Sequence, residues 1–228
     1  MTLTVFKNTH FLLVTFTILT CFCCKSQSEK KITATEEIET EAIVKEIVLG
    51  ASQVEEYLPL LKNKKIGIVA NQTSVLYLKN ENLDKNSIQK KIEIRLHLVD
   101  YLYNKKINIQ HVFAPEHGFR GKADAGELIK DGVDTKTGLS IISLYGENKK
   151  PSIQQLEGIE IMIFDIQDVG ARFYTYISTL HYMMEACAEL NIPLLILDRP
   201  NPNGHYIDGP ILEKQHKSFV GMHPVPVI

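Results

Sequence analysis

Tryptophan is missing from this 228-residue chain, cysteine occurs only four times, and a formal net charge of -2 is spread over mixed acidic and basic residues. Without a concentrated basic stripe there is no electrostatic footprint for nucleic acid. No Gly-x-Gly-x-x-Gly follows the first apolar strand and no Gly-Lys-Ser/Thr loop occurs, so no nucleotide is expected, and no other cofactor is implied. Ser178 lacks a Gly-x-Ser-x-Gly elbow, which argues against a serine hydrolase. Glu116-His117 has no second histidine at helical spacing, so no metal site is assigned. Cys21, Cys23 and Cys24 crowd one early segment and leave Cys187 as the lone cysteine of the body, so no disulfide framework is expected.

Residues 11–22 form an apolar run behind Lys7 and His10, too short to span a bilayer as a helix. This reads as an export signal over residues 1–24, of the lipoprotein type, with Cys24 before Lys25-Ser26-Gln27 as the lipidation site. An ordinary cleaved signal peptide is the plainer alternative. Residues 25–47 are rich in Glu, Lys and Thr without aromatic residues, a composition that suits a solvated tether.

Beyond the tether, apolar spacing alternates between two periods. Val54, Tyr57, Leu58 and Leu61 predict a helix over 50–62, and Ile66-Gly67-Ile68-Val69-Ala70 predicts a strand covered on both faces. Ile88, Ile92, Leu96, Val99 and Leu102 predict an amphipathic helix over 87–103. Strands follow at 109–114, 141–145, 160–166 and 193–197, with helices starting near Ser152 and spanning 178–190. Strand, helix, strand in repetition predicts an α/β fold over residues 48–215, a doubly wound Rossmann-like, mostly parallel sheet with helices on both faces.

Ligands of such sheets bind beyond the carboxyl ends of the strands. The five exits here are polar: Asn71-Gln72-Thr73, Pro115-Glu116-His117-Gly118, Tyr145-Gly146, Asp165-Ile166-Gln167-Asp168 and Asp198-Arg199-Pro200-Asn201. Any one of these is an ordinary turn composition, but five in succession mark one edge as a working surface. Glu116 and Asp165 each follow a buried apolar run directly, where partial desolvation favours a general acid. A salt bridge to Arg120, Arg172 or Arg199 is the competing role for either carboxylate. His117 has the chemistry of an acid, a base, a metal ligand or a packing residue. His181 lies on an apolar helix face with Ile177, Leu180 and Met184, as a core or rim residue would. The glycine-punctuated polar loop over 119–138, next to Glu116, resembles a binding loop or lid. Arg172-Phe173-Tyr174-Thr175-Tyr176 mixes a cation with rings, which suits a sugar face and an anionic substituent or, equally, a helix start packed on the core.

Val69-Ala70-Asn71-Gln72-Thr73-Ser74, Pro115-Glu116-His117-Gly118-Phe119-Arg120-Gly121 and Phe164-Asp165-Ile166-Gln167-Asp168-Val169-Gly170-Ala171-Arg172-Phe173-Tyr174-Thr175-Tyr176 resemble the exo-β-N-acetylmuramidase (NamZ-like) family. Leu197-Asp198-Arg199-Pro200-Asn201-Pro202 and Asp208-Gly209-Pro210 fit the same pattern. The resemblance implies a bacterial glycoside hydrolase acting outside the cytoplasm, periplasmic or anchored to an envelope membrane. Its substrates would be peptidoglycan fragments or muropeptides, from whose non-reducing end it would release N-acetylmuramic acid. It implies Glu116 as general acid, His117 as its orienting neighbour, and Asp165 or Asp168 as a second carboxylate unless the substrate's own acetamido oxygen acts as nucleophile. Arg172, Arg199 or Arg120 would grip the lactyl carboxylate. Asn71, Gln72, Gln167, Tyr174, Asp198 and Asn201 would contact hydroxyl and acetamido groups. Family members are longer, so residues 216–228 are expected to begin a second domain. A metal-dependent phosphoesterase built on Glu116, His117, Asp165 and Asp168, or a muropeptide-binding lipoprotein without turnover, are the alternatives.

Overall fold

The computed structural model describes residues 47–79, 93–121 and 130–228. The expected signal, Cys24 and the tether up to residue 46 lie outside these, as do residues 122–129 of the glycine-punctuated loop.

The alternation of apolar residues along the strands explains the layering. In β1 (Lys65–Ala70), Ile66, Ile68 and Ala70 enter one core cluster and Val69 the other. β4 (Asn108–Ala114) divides Val112 and Ala114 from Phe113 in the same way, and β7 (Ile161–Asp165) divides Ile161 and Ile163 from Met162 and Phe164. A strand with apolar groups on both faces must be covered on both. Tyr57 and Leu61 of α1 (Val54–Leu61) and Leu98, Val99 and Leu102 of α2 (Leu98–Asn104) cover the first face. Leu156 of α3 (Ile153–Leu156) and Met183, Ala186 and Cys187 of α4 (Tyr176–Glu189) cover the second. Each of these large side chains contributes roughly 1.5–3 kcal/mol on leaving water.

Completing the sheet are β5 (Gly132–Val133), β6 (Ser140–Ser143) and β8 (Leu194–Ile196), in the spatial order β5-β6-β4-β1-β7-β8. All neighbours are parallel except the β5–β6 edge pair. Chain order runs outward from β1 through β4 to β6, then returns to the other side of β1 for β7 and β8, which puts the topological switch between β1 and β7. The expected fold class is the observed one.

The helix expected over 87–103 is a correction. Residues 93–97 form strand β3 (Glu93–His97), paired antiparallel with β2 (Val75–Lys79), and the helix begins only at Leu98. Glu93-Ile94-Arg95-Leu96-His97 alternates with period two, and the helical spacing holds only from Leu98 to Leu102. His97 makes the change of element: its Nδ1 accepts the Val99 N–H at 3.2 Å as a cap, and its Nε2 donates to the Asn71 carbonyl at 2.9 Å.

Candidate active site

β4 ends at Ala114 and the chain reverses at once, with the Gly118 N–H donating to the Pro115 carbonyl at 3.0 Å. His117 and Gly118 sit at φ +70° and +75°. The left-handed conformation is costly for a side chain such as histidine, on the order of 1–2 kcal/mol, and residues held there concentrate at functional sites. Glu116, half-buried, lies just before this reversal. Its Oε2 accepts the Thr175 hydroxyl at 2.9 Å. The Tyr145 phenol also hydrogen-bonds to it; burial raises that phenol's pKa, and the Glu116 charge and hydrogen bond push the same way. Thr175 stands at the start of α4 and Tyr145 just beyond β6, so three segments following parallel strands converge on one carboxylate.

Glu116 opens into a cleft of about 350 Å³, lined also by Tyr145, Gly146, Lys149, Thr175 and Phe219. That volume lies within the range of small-molecule sites. Glu116 is the one carboxylate among the described lining residues. Also in the lining, Lys149 Nζ lies 5.3 Å from the Phe219 ring centroid, and the same ring stacks on Tyr182 at 6.1 Å and 15°.

The β1–β7 switch is filled by the protein's own groups. Asp165, fully buried, pairs with Arg199 through Nε–Oδ1 at 2.6 Å and Nη2–Oδ2 at 3.0 Å, and Arg199 also donates to the Val75 carbonyl at 2.8 Å. Burial raises the Asp165 carboxyl and the guanidinium pulls against it. Asp165 and Arg199 therefore face each other rather than the cleft, the competing role foreseen for such a carboxylate. Asn71 is equally buried, with its Oδ1 taken by the Thr73 N–H at 2.8 Å and hydroxyl at 2.6 Å. Thr73 Oγ1 in turn accepts the Gln167 N–H at 2.9 Å, and Gln167 Nε2 ties the Asp168 and Pro200 carbonyls together. Asp168 Oδ2 accepts the Gly170 N–H at 2.8 Å, while its buried Oδ1 has no hydrogen-bond partner among the described residues. Tyr176 links the switch to the cleft: burial raises its phenol, Asn71 and Gln72 oppose this, and the Glu116 charge adds to it.

The other expected contacts are distributed around this centre. Arg120 is clamped by Asp100 (2.8 Å) and Asp134 (2.7 Å) and lies 4.3 Å from the Phe119 ring centroid. Arg172 donates from Nη1 to the Pro210 and Val225 carbonyls at 2.8 and 2.6 Å and from its backbone to the Val227 carbonyl, holding residues 225–227 against the body. Asp198 accepts the Arg199 N–H, and Asn201 Oδ1 accepts the Asn203 N–H, both at 2.9 Å. Tyr174 is exposed beside Phe173, and Gln72 is exposed with its stem against Gly121. All three arginines expected to grip an anion are engaged within the protein.

Lys149 and Phe219 were not singled out from the sequence, and Thr175 entered only as part of Arg172-Phe173-Tyr174-Thr175-Tyr176 with no role of its own, although Tyr145 was named as a strand exit. A hydroxyl at a helix start and a lysine in a polar loop are common surface features, and only the folding back of residues 217–223 reveals Phe219 as a wall. Among the described residues no cluster of three or more His, Cys, Asp or Glu is arranged to hold a metal ion, and no helix is long and apolar enough to cross a membrane.

Residues 66–228 match the family described as exo-β-N-acetylmuramidase NamZ, N-terminal. The chain is 45% identical over 174 residues to the peptidoglycan β-N-acetylmuramidase NamZ of Bacillus subtilis (strain 168), covering 75% of this chain and 38% of that protein. Two crystal structures of DUF1343 family proteins from Bacteroides fragilis NCTC 9343 are similar. One is 43% identical with a TM-score of 0.61 over 80% of this chain and 43% of that one, and the other is 33% identical with 0.62 over 79% and 42%. The chain thus spans well under half the length of these relatives. With the sheet order, the polar strand exits and this match over most of its length, the chain belongs to the NamZ exo-β-N-acetylmuramidase family and represents its N-terminal region.

Proposed function

We propose that the protein is an exo-acting glycoside hydrolase that releases N-acetylmuramic acid from the non-reducing end of peptidoglycan fragments. One observation carries the reading: Glu116, alone among carboxylates in the described lining of the cleft, is held by the Thr175 hydroxyl and the Tyr145 phenol at the exits of parallel strands. As general acid, Glu116 donates its proton to the glycosidic oxygen while the C1–O bond breaks. Asp165 is shut away with Arg199 and Asp168 is turned toward Gly170, so the geometry favours the substrate's acetamido oxygen as the group that bonds to C1. Water, giving its proton to the Glu116 carboxylate, then attacks C1 and frees the acetamido oxygen, with net retention.

The relative from Bacillus subtilis is named for this activity, which supports the substrate class. The test is release of N-acetylmuramic acid from its β-linked disaccharide with N-acetylglucosamine, by the full chain and by Glu116→Gln, with and without a chelator. Release that withstands chelation and falls at least a thousandfold in the variant is expected, on the scale of losing an essential acid. Chelator-sensitive release would overturn the metal-free acid mechanism, and binding without release would favour the muropeptide-binding protein.

Export with acylation at Cys24, placing the enzyme at an envelope membrane where its polymeric substrate lies, is part of the same proposal. The apolar run 11–22 and the cysteines at its end support it. Incorporation of a labelled fatty acid that Cys24→Ser abolishes is the expected result.

A further inference from the structure

We propose that Lys149, backed by Phe219, forms the subsite that reads the carboxylate of the substrate's lactyl ether. The inference rests on the muramidase reading and assigns the group that makes the site selective for muramic acid over glucosamine, the two sugars differing in that substituent alone. A site selective for an anionic substituent needs a cation in the cleft with bonding capacity to spare. Arg120, Arg172 and Arg199 are not among the described residues that line the cleft: the first spans two aspartates, the second holds two backbone carbonyls, and the third is paired with Asp165. Lys149 lines the same cleft as Glu116, and the contact found for its ammonium is the face of Phe219 at 5.3 Å, with no carboxylate within salt-bridge reach among the described residues.

Contact with a ring face uses no conventional acceptor, so the ammonium keeps donors for an anion, and the ring excludes water from one side. Phe219 is itself braced by Tyr182, which fixes the position of that face. The segment carrying Phe219 is closed by reciprocal bonds between Ser218 and Gly221, at 2.9 and 3.2 Å, so the aromatic wall is supplied by a short backbone-bonded turn. The charge of Lys149 and the proton donor Glu116 thus line one cleft, as a sugar bound through its lactyl group and cleaved at C1 requires.

The experiment compares the disaccharide carrying a free lactyl carboxylate with the same disaccharide capped as its methylamide, using the full chain, Lys149→Met and Lys149→Arg. The unmodified protein should prefer the acid in kcat/KM by roughly tenfold or more, the scale of a charge-assisted hydrogen bond. Lys149→Met should treat acid and amide alike, and Lys149→Arg should keep most of the preference. A preference that persists in Lys149→Met, or an unmodified protein indifferent to the cap, overturns the inference while leaving the muramidase reading intact. Should no variant release any sugar, the muramidase reading falls, and calorimetric binding of free N-acetylmuramic acid against its methylamide still decides whether Lys149 reads the carboxylate.

Discussion

Replacing Arg199 by methionine would remove the partner of a carboxylate that has no access to solvent. In the native protein Asp165 receives two hydrogen bonds from one guanidinium, at 2.6 and 3.0 Å, and the same side chain fastens the Val75 carbonyl. Breaking a buried pair from one side leaves an uncompensated charge and costs roughly 3–5 kcal/mol. For a body of this size each kcal/mol is worth about 2–4 °C, so Tm should fall by roughly 6–20 °C. With Arg199 gone, nothing opposes the upward push of burial on Asp165. A carboxyl whose folded pKa lies above its unfolded value favours the native state at low pH and disfavours it as pH rises, so the deficit should shrink between pH 7 and pH 5. Thermal unfolding followed by far-UV circular dichroism at pH 7 and pH 5 measures both effects, the chain having no tryptophan to report fluorescence. The double variant Asp165→Leu/Arg199→Met should be more stable than Arg199→Met alone, because it removes the stranded charge. A Tm within about 2 °C of the parent, with KM raised instead, would refute the structural assignment and return Arg199 to the substrate.

Two further outcomes follow from the same geometry. Asp134 is held near a pKa of about 2 because Arg120 and Thr137 hydrogen-bond to its carboxylate and outweigh the opposing effect of burial, so the stability it confers is full above about pH 4 and is lost as pH falls toward 2. Urea midpoints between pH 5 and pH 2 should show a contribution of about 1–2 kcal/mol that Asp134→Asn lacks. Gly170 lies at φ +70° with the Asn201 side chain 2.3 Å from where a Cβ would stand, so Gly170→Ala should cost about 1–2 kcal/mol from the backbone alone, read as a lower urea midpoint at unchanged m-value.

Short apolar runs bounded by polar turns made the central strands and their exits legible, because β1, β4 and β7 are each buried on both faces and leave no ambiguity of period. Where tertiary pairing decided, the sequence misled. Leu96, Val99 and Leu102 keep a helical interval, yet Leu96 belongs to a strand because residues 93–97 pair with 75–79. Asp165 and Glu116 occupy the same local context, a carboxylate directly after a buried run, and their fates differ for reasons distant in the sequence. Arg199 closes over the first, while Thr175 and Tyr145 leave the second at an open wall. Lys149 and Phe219 carried no local signal, since their meaning arises only when the turn at 218–221 comes back to the exits of β4 and β6.

The sheet order reverses between β1 and β7, the crevice where open α/β sheets usually take their ligands. Here that crevice is consumed internally: Thr73 accepts the Gln167 N–H, Asn71 is spent on Thr73, Gln167 spans two carbonyls, and the Asp165–Arg199 pair seals the floor. The open cleft is displaced by two strand positions, over β4 and β6, and it is there that the left-handed His117-Gly118 reversal presents Glu116. A switch bonded largely to itself, beside a carboxylate loop with a left-handed reversal, separates the part of the edge that holds the sheet together from the part that opens into the cleft. Substitutions in the first should therefore register as stability, and substitutions in the second as rate.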